Sequence, residues 1–213
     1  MAVRIPALLI ALATIFSFSQ EHENKIRFGG RVAMAFYFFL SEDNLSQFCT
    51  DGCGRGDGFG FAVGAVANIP IINTITFNPE LNLIRRGFDM GGYDPLIMRE
   101  FAISVPALFQ YMPFGGPVFY IEAGIQLDIP FARETTRKLE LFNIYEYEYS
   151  YRDVFFGIPF GIGWHINKHF VLDCRVTIDL LAYGESIYRY NYREPEYEEL
   201  GLLQSELSLL YLF

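Results

Sequence analysis

The sequence predicts an all-β fold: one eight-stranded antiparallel transmembrane β-barrel with short periplasmic turns and long extracellular loops. Three observations carry this expectation. Bulky apolar residues alternate with small or polar ones in eight successive segments. The connections between segments alternate between short and long. The few charges sit on the small-residue faces and not on the bulky ones. Composition agrees, with 52% hydrophobic, 17% aromatic and 19% charged residues among 213. That leaves ample apolar surface to bury and excludes disorder for most of the chain. A net charge of -9 without any Lys/Arg run excludes a nucleic-acid partner.

The chain opens MAVRIPALLIALATIFSFSQ. Arg4 supplies a positive start, Ile5 to Phe18 an apolar core, and Ser17 and Ser19 small residues before a cut at Gln20. This is the layout of a secretory signal peptide over residues 1–19, leaving residues 20–213 as the barrel domain. The apolar run is short for a membrane span, which needs about 20 residues. Export makes the close pair Cys49 and Cys53, in CTDGCGRGDG, a candidate disulfide. A zinc site there would lack two ligands. Cys174 is alone.

The eight segments are taken in order. Residues 26–40 place Phe28, Val32, Met34, Phe36 and Phe38 on one face and Arg27, Gly29, Arg31, Ala33 and Ala35 on the other. Residues 58–68 set Phe59, Phe61 and Val63 against Gly58, Gly60 and Gly64. Residues 73–84 set Ile75, Phe77, Leu81 and Leu83 against Thr76, Asn78, Glu80 and Asn82. The next segment, up to Tyr111, alternates Phe101, Ile103, Val105 and Phe109 with Glu100, Ala102, Ser104 and Gln110; its prolines exclude a membrane helix. Residues 117–131 set Ile121, Ile125 and Ile129 against Glu122, Gly124, Gln126 and Asp128. Residues 153–166 set Phe156, Phe160 and Trp164 against Gly157, Gly161 and Gly163. Residues 169–183 set Leu172, Cys174 and Val176 against Asp173, Arg175 and Thr177. Residues 203–213 set Leu207, Leu209, Tyr211 and Phe213 against Gln204, Glu206 and Ser208. Long connections are expected near 41–57, 85–99, 132–152 and 184–202, short ones near 69–72, 112–116 and 167–168. Such asymmetry is that of outer-membrane barrels.

A soluble barrel would turn its bulky face inward. Here the opposite orientation is expected. The polar faces lack the interspersed Lys and Glu of a water-facing surface, and small residues suit the interior of eight strands. Aromatics also gather at strand ends, as at lipid–water boundaries. The alternating C-terminal strand ending in Phe213 resembles the signal read by the outer-membrane assembly machinery. The expected location is therefore the cell outer membrane of a Gram-negative organism, in contact with outer-membrane lipid.

The run FAISVPALFQYMPFGGPVFYIEAGIQLDI resembles the centre of the PorT-like outer-membrane β-barrel family, through Val105-Pro106 and Tyr120-Ile121-Glu122-Ala123-Gly124. DVFFGIPFGIGWHINKHFVLDCRVTIDL is similar to that family's later strand pair, through Asp153, Gly157, Gly161, Gly163, Asp173 and Arg175. The resemblance spans about residues 26–213 and implies the barrel fold. It carries over no catalytic, ligand-binding or cofactor residues.

Candidate chemistry is sparse. Arg31, Glu122, Asp173, Arg175 and Glu206 should point inward as a charge network filling the lumen, since a buried charge must be paired. His22, His165 and His169 do not assemble a catalytic constellation at the extracellular rim, so a lipid-modifying enzyme is disfavoured, and no metal or cofactor is expected. Tyr145, Tyr147 and Tyr149 alternate with Glu146 and Glu148; Tyr188, Tyr190 and Tyr192 follow in the last loop. They suggest strands rising above the membrane, with Pro195 at an apex, and a surface for a protein or glycan partner. Arg85, Arg86 and Arg152 are candidate phosphate contacts. The functional expectation is a non-enzymatic structural anchor or surface-binding module, with a narrow small-solute pore as the alternative.

Overall fold

The computed structural model describes residues 25–40, 56–90, 96–113, 118–137, 145–151, 153–180, 184–190 and 196–213. Among these described residues there are ten strands: β1 (Arg27–Leu40), β2 (Gly56–Ile72), β3 (Ile75–Met90), β4 (Leu96–Tyr111), β5 (Phe119–Arg137), β6 (Tyr145–Tyr151), β7 (Phe155–His165), β8 (Phe170–Asp179), β9 (Gly184–Tyr190) and β10 (Glu196–Leu212). All pairings are antiparallel, and β1 pairs with β10 from Gly29↔Leu212 to Leu40↔Gly201. That pairing closes β1, β2, β3, β4, β5, β7, β8 and β10 into an eight-stranded barrel. The strands β6 and β9 continue the staves of β7 and β8 beyond the barrel wall. There β9 pairs with the start of β10, and β6 with β9.

The period-two reading fixes the faces. Along β1, Phe28, Val32, Met34, Phe36 and Phe38 are exposed outward while Arg31, Ala33, Ala35 and Tyr37 are buried inward. The same inversion runs round the wall, with Ile103, Ile121, Ile125, Trp164, Leu172 and Leu209 exposed and Asn82, Ser104, Gln126, Thr177 and Ser208 buried. An exterior this apolar would be costly in water. In hydrocarbon it is the matching solvent, and closure leaves no backbone edge there unpaired. Cys174 is exposed on this outer face as a free thiol.

The boundaries differ from expectation in an instructive way. Strand β2 runs on through Pro70, where the register shifts, so the turn is Asn73-Thr74 and not 69–72. Proline lacks an N–H and read as a turn, but a bulge accommodates it. The expected loop 85–99 is largely strand: β3 reaches Met90 and β4 restarts at Leu96. Likewise β5 extends to Arg137, and the expected last loop is mostly the β9–β10 hairpin. Spanning hydrocarbon takes about 9–11 residues, whereas β5 has 19. Beyond the bilayer the apolar alternation is no longer demanded, although the ladder continues, so composition there mimics a loop. At the opposite end, Asn167 closes the β7–β8 turn, its Oδ1 accepting the N–H of both His169 and Phe170 at 2.8 Å.

The lumen is bulkier than small residues alone would make it. Tyr37, Phe88, Met98 and Phe155 cluster inside toward the long-connection end; Val66, Met112, Tyr120, Val171, Leu210 and Leu212 do so toward the short-turn end. Glycines opposite make the room. Tyr120 faces Gly163 in register, and a Cβ on Gly163 would collide with the hydroxyl end of the tyrosine ring. Gly163→Val is therefore expected to destabilise the barrel by about 1–3 kcal/mol through overpacking, read as an earlier midpoint in urea unfolding from vesicles. Gly30→Ala, where the nearest contact is 3.9 Å away, should leave the midpoint in place.

Candidate functional site

Period-two alternation on strands β1, β3, β5, β8 and β10 projects charged side chains into one enclosed space. Arg175 of β8, 2% exposed, is the hub. Its Nε donates to Glu122 Oε1 at 2.7 Å, and its Nη2 and Nη1 donate to Glu80 Oε1 at 3.0 Å and Oε2 at 3.2 Å. Asp173 lies 3.5 Å and Glu206 3.9 Å from the same guanidinium. Arg31 pairs with Glu206 and lies 3.6 Å from Glu80. Two guanidiniums thus stand among four carboxylates, and neutral donors serve the remaining oxygens. Gln110 donates to Glu122, Asn82 to Glu80, Gln204 to Glu206, and Tyr120 and Ser208 to Asp173. Desolvated carboxylates persist only with such partners.

A second group lies nearer the long connections. Arg86 Nε donates to Glu100 Oε1 at 2.6 Å and Nη1 to Asp128 Oδ2 at 3.2 Å. Arg133 closes on the other Glu100 oxygen, Nε at 2.7 Å. The Arg86 guanidinium also sits 5.1 Å from the Phe155 ring and 5.8 Å from Tyr37, within cation–π range.

The structure brings Arg31, Glu122, Asp173, Arg175 and Glu206 together, and all are buried. Reading those five alone missed Glu80, the second anchor of Arg175, and the whole Arg86–Glu100–Asp128–Arg133 group. The signal was present: Glu80, Asn82, Ile84, Arg86 and Phe88 continue one inward face without interruption. Arg86 as a phosphate contact is a mistaken expectation, since it is buried and ion-paired inside the wall. Arg85, its neighbour, is exposed outside; Arg152 lies outside the described residues.

The tyrosine segments are placed by backbone register. Tyr145 stands opposite Tyr190, Tyr147 opposite Tyr188 and Tyr149 opposite Ser186. Tyr188 in turn faces Glu196 on β10. Tyr192, Cys49, Cys53, His22 and residues 1–19 lie outside the described residues. His165 is buried against Tyr120, with ring centroids 5.6 Å apart, and His169 lies at the short-turn end with Nδ1 2.8 Å from the Leu212 carbonyl. Among the described residues no group of three His, Cys, Asp or Glu is placed to hold a metal ion.

The family described as outer membrane protein beta-barrel domain matches residues 18–180. No curated protein matches the chain. Among solved structures, Neisserial surface protein A is similar with a TM-score of 0.53 at 12% identity, covering 87% of this chain and 97% of that one. OprG from Pseudomonas aeruginosa gives 0.47 at 9% identity, over 88% and 95%. The attachment invasion locus protein Ail of Yersinia pestis gives 0.43 at 10%, over 89% and 99%. At 12% identity the likeness to the Neisserial protein is one of fold.

Arg175→Ala would strand Glu80 and Glu122 without their guanidinium. Breaking a buried pair from one side costs about 3–5 kcal/mol, so the thermal midpoint of the purified barrel should fall well below wild type. Arg175→Met combined with Glu80→Gln and Glu122→Gln should recover part of that loss. A melt unchanged by Arg175→Ala would contradict a stabilising role for the network.

Proposed function

The chain belongs to the outer membrane protein β-barrel domain family, and from that premise we propose that it is a non-enzymatic outer-membrane anchor presenting a binding surface on its long connections. The observation that carries this reading is the filled lumen. Two buried ion-pair groups and apolar clusters at both ends occupy the space that a pore would need. Function is then left to the rims. The sheet of β6, β9 and the start of β10 is the most elaborated of these, with its tyrosines in facing rows. Its described residues include Glu146, Glu148, Glu185, Glu196, Glu198 and Glu199 against Arg189. Tyrosine offers large contact area at low entropy cost, and the acidity favours a partner with basic groups. Export through the signal peptide at 1–19, insertion by the outer-membrane assembly machinery and a place among PorT-like members complete the proposal, the last supported by the Val105-Pro106 and Tyr120–Gly124 motifs.

A photo-crosslinking residue at position 147 or 188 should capture a partner on intact cells, whereas one at position 103, on the lipid face, should capture none. The same protein in a planar bilayer should give no stepwise current. Absence of any adduct from the rim positions, together with unitary conductance steps, would overturn the anchor reading in favour of the pore.

A further inference from the structure

Arg85 and Arg86 are adjacent in sequence, and the pleat of β3 sends them to opposite sides of the wall. Arg86 is held by carboxylates inside. Arg85 is exposed outside, its guanidinium carbon 6.0 Å from the centre of the Phe101 ring. The next outward position is Gly87. Its cross-strand row holds Phe59 on β2 and Arg99 on β4, both exposed. A Cβ on Gly87 would meet nothing nearer than the Met98 and Phe59 carbonyl oxygens at 3.8 Å. The glycine therefore floors an open notch on the outer face, walled by Phe59 and Arg99, with Arg85 beneath. One row deeper in the wall, Phe61 and Phe101 flank Arg85 and are exposed. Below them Val63, Leu83 and Ile103 continue an apolar surface.

An arginine on the outward face of such a barrel is costly at the bilayer midplane and cheap near the interface, where lipid phosphates are within its reach. Three carboxylates stand near by backbone register. Glu134 faces Arg99 from β5, and Asp57 and Asp89 oppose each other one row beyond Phe59 and Gly87 toward the long connections. All three lie away from the Arg85 side of the notch, which opens over the aromatic surface. We propose that the Arg85–Gly87–Arg99 notch binds the phosphate headgroup of a lipid in the surrounding leaflet, with its acyl chains lying over Phe61 and Phe101. Guanidinium and phosphate match in geometry and form charge-assisted hydrogen bonds. The aromatic rings beneath supply the apolar continuation that a free anion would not use. The site is separate from the β6–β9–β10 surface and does not depend on it.

Native mass spectrometry of the detergent-purified barrel tests this, with diphosphoryl lipid A and its fully dephosphorylated counterpart as probes. Wild type should retain the phosphorylated form roughly tenfold more than the other, about the size of one charge-assisted hydrogen bond. R85Q/R99Q should abolish the preference. G87L, which keeps both arginines but fills the notch, should abolish it as well. Each variant is first checked for folding by its heat-shifted gel mobility, and either one suffices if the other does not fold. Equal retention of both lipids by wild type, or an undiminished preference in the folded variants, would overturn the proposal. So would displacement of the bound lipid by inorganic phosphate alone, which would mark a free-anion site.

Discussion

A sheet that crosses hydrocarbon can leave no backbone N–H or C=O without a partner, and the pairing of β1 with β10 is where this chain meets that demand. Once the wall closes, each side chain has two destinations. Across the hydrocarbon span the exposed outward groups are bulky and apolar, and the polar groups there turn inward, where other side chains partner most of them. Arg175 is the consequence: one guanidinium from β8 reaches carboxylates of β3, β5 and β10 and ties distant parts of the wall across the interior.

The same arithmetic explains why the barrel is dense inside. Eight staves leave room for side chains and little else. Ionic groups occupy the middle and aromatic or apolar clusters the ends. Tyr120 fits because Gly163 opposite has no side chain, and Arg86 lies against Tyr37 and Phe155. With the interior filled, the roles proposed above fall to the strands Tyr145–Tyr151 and Gly184–Tyr190 that continue beyond the wall and to the outward face around Arg85.

Much of this was legible in the residues because the strand period is two. Phe28, Val32, Met34 and Phe36 against Arg31, Ala33 and Ala35 already state which face meets lipid. The strand ends were less legible. Arg85, Asp89, Arg99 and Glu134 look like loop residues, yet they continue the ladder in a region where solvent no longer selects apolar side chains. The partners of the inward charges were half legible. Parity places Glu80 and Asp128 inside, but which carboxylate meets which guanidinium depends on stagger across the lumen, which no local pattern encodes. Arg86 shows the cost of stopping a strand too early: one residue of parity separates an external phosphate contact from a buried ion pair.

The central claim is the inverted orientation, and the chain holds a single tryptophan with which to test it. Trp164 is 47% exposed on the outer face of β7. Reconstituted into vesicles whose acyl chains carry bromine, its fluorescence should be strongly quenched, and aqueous iodide should have little effect. Emission indifferent to the brominated lipid but quenched by iodide would place that face in water and contradict the account.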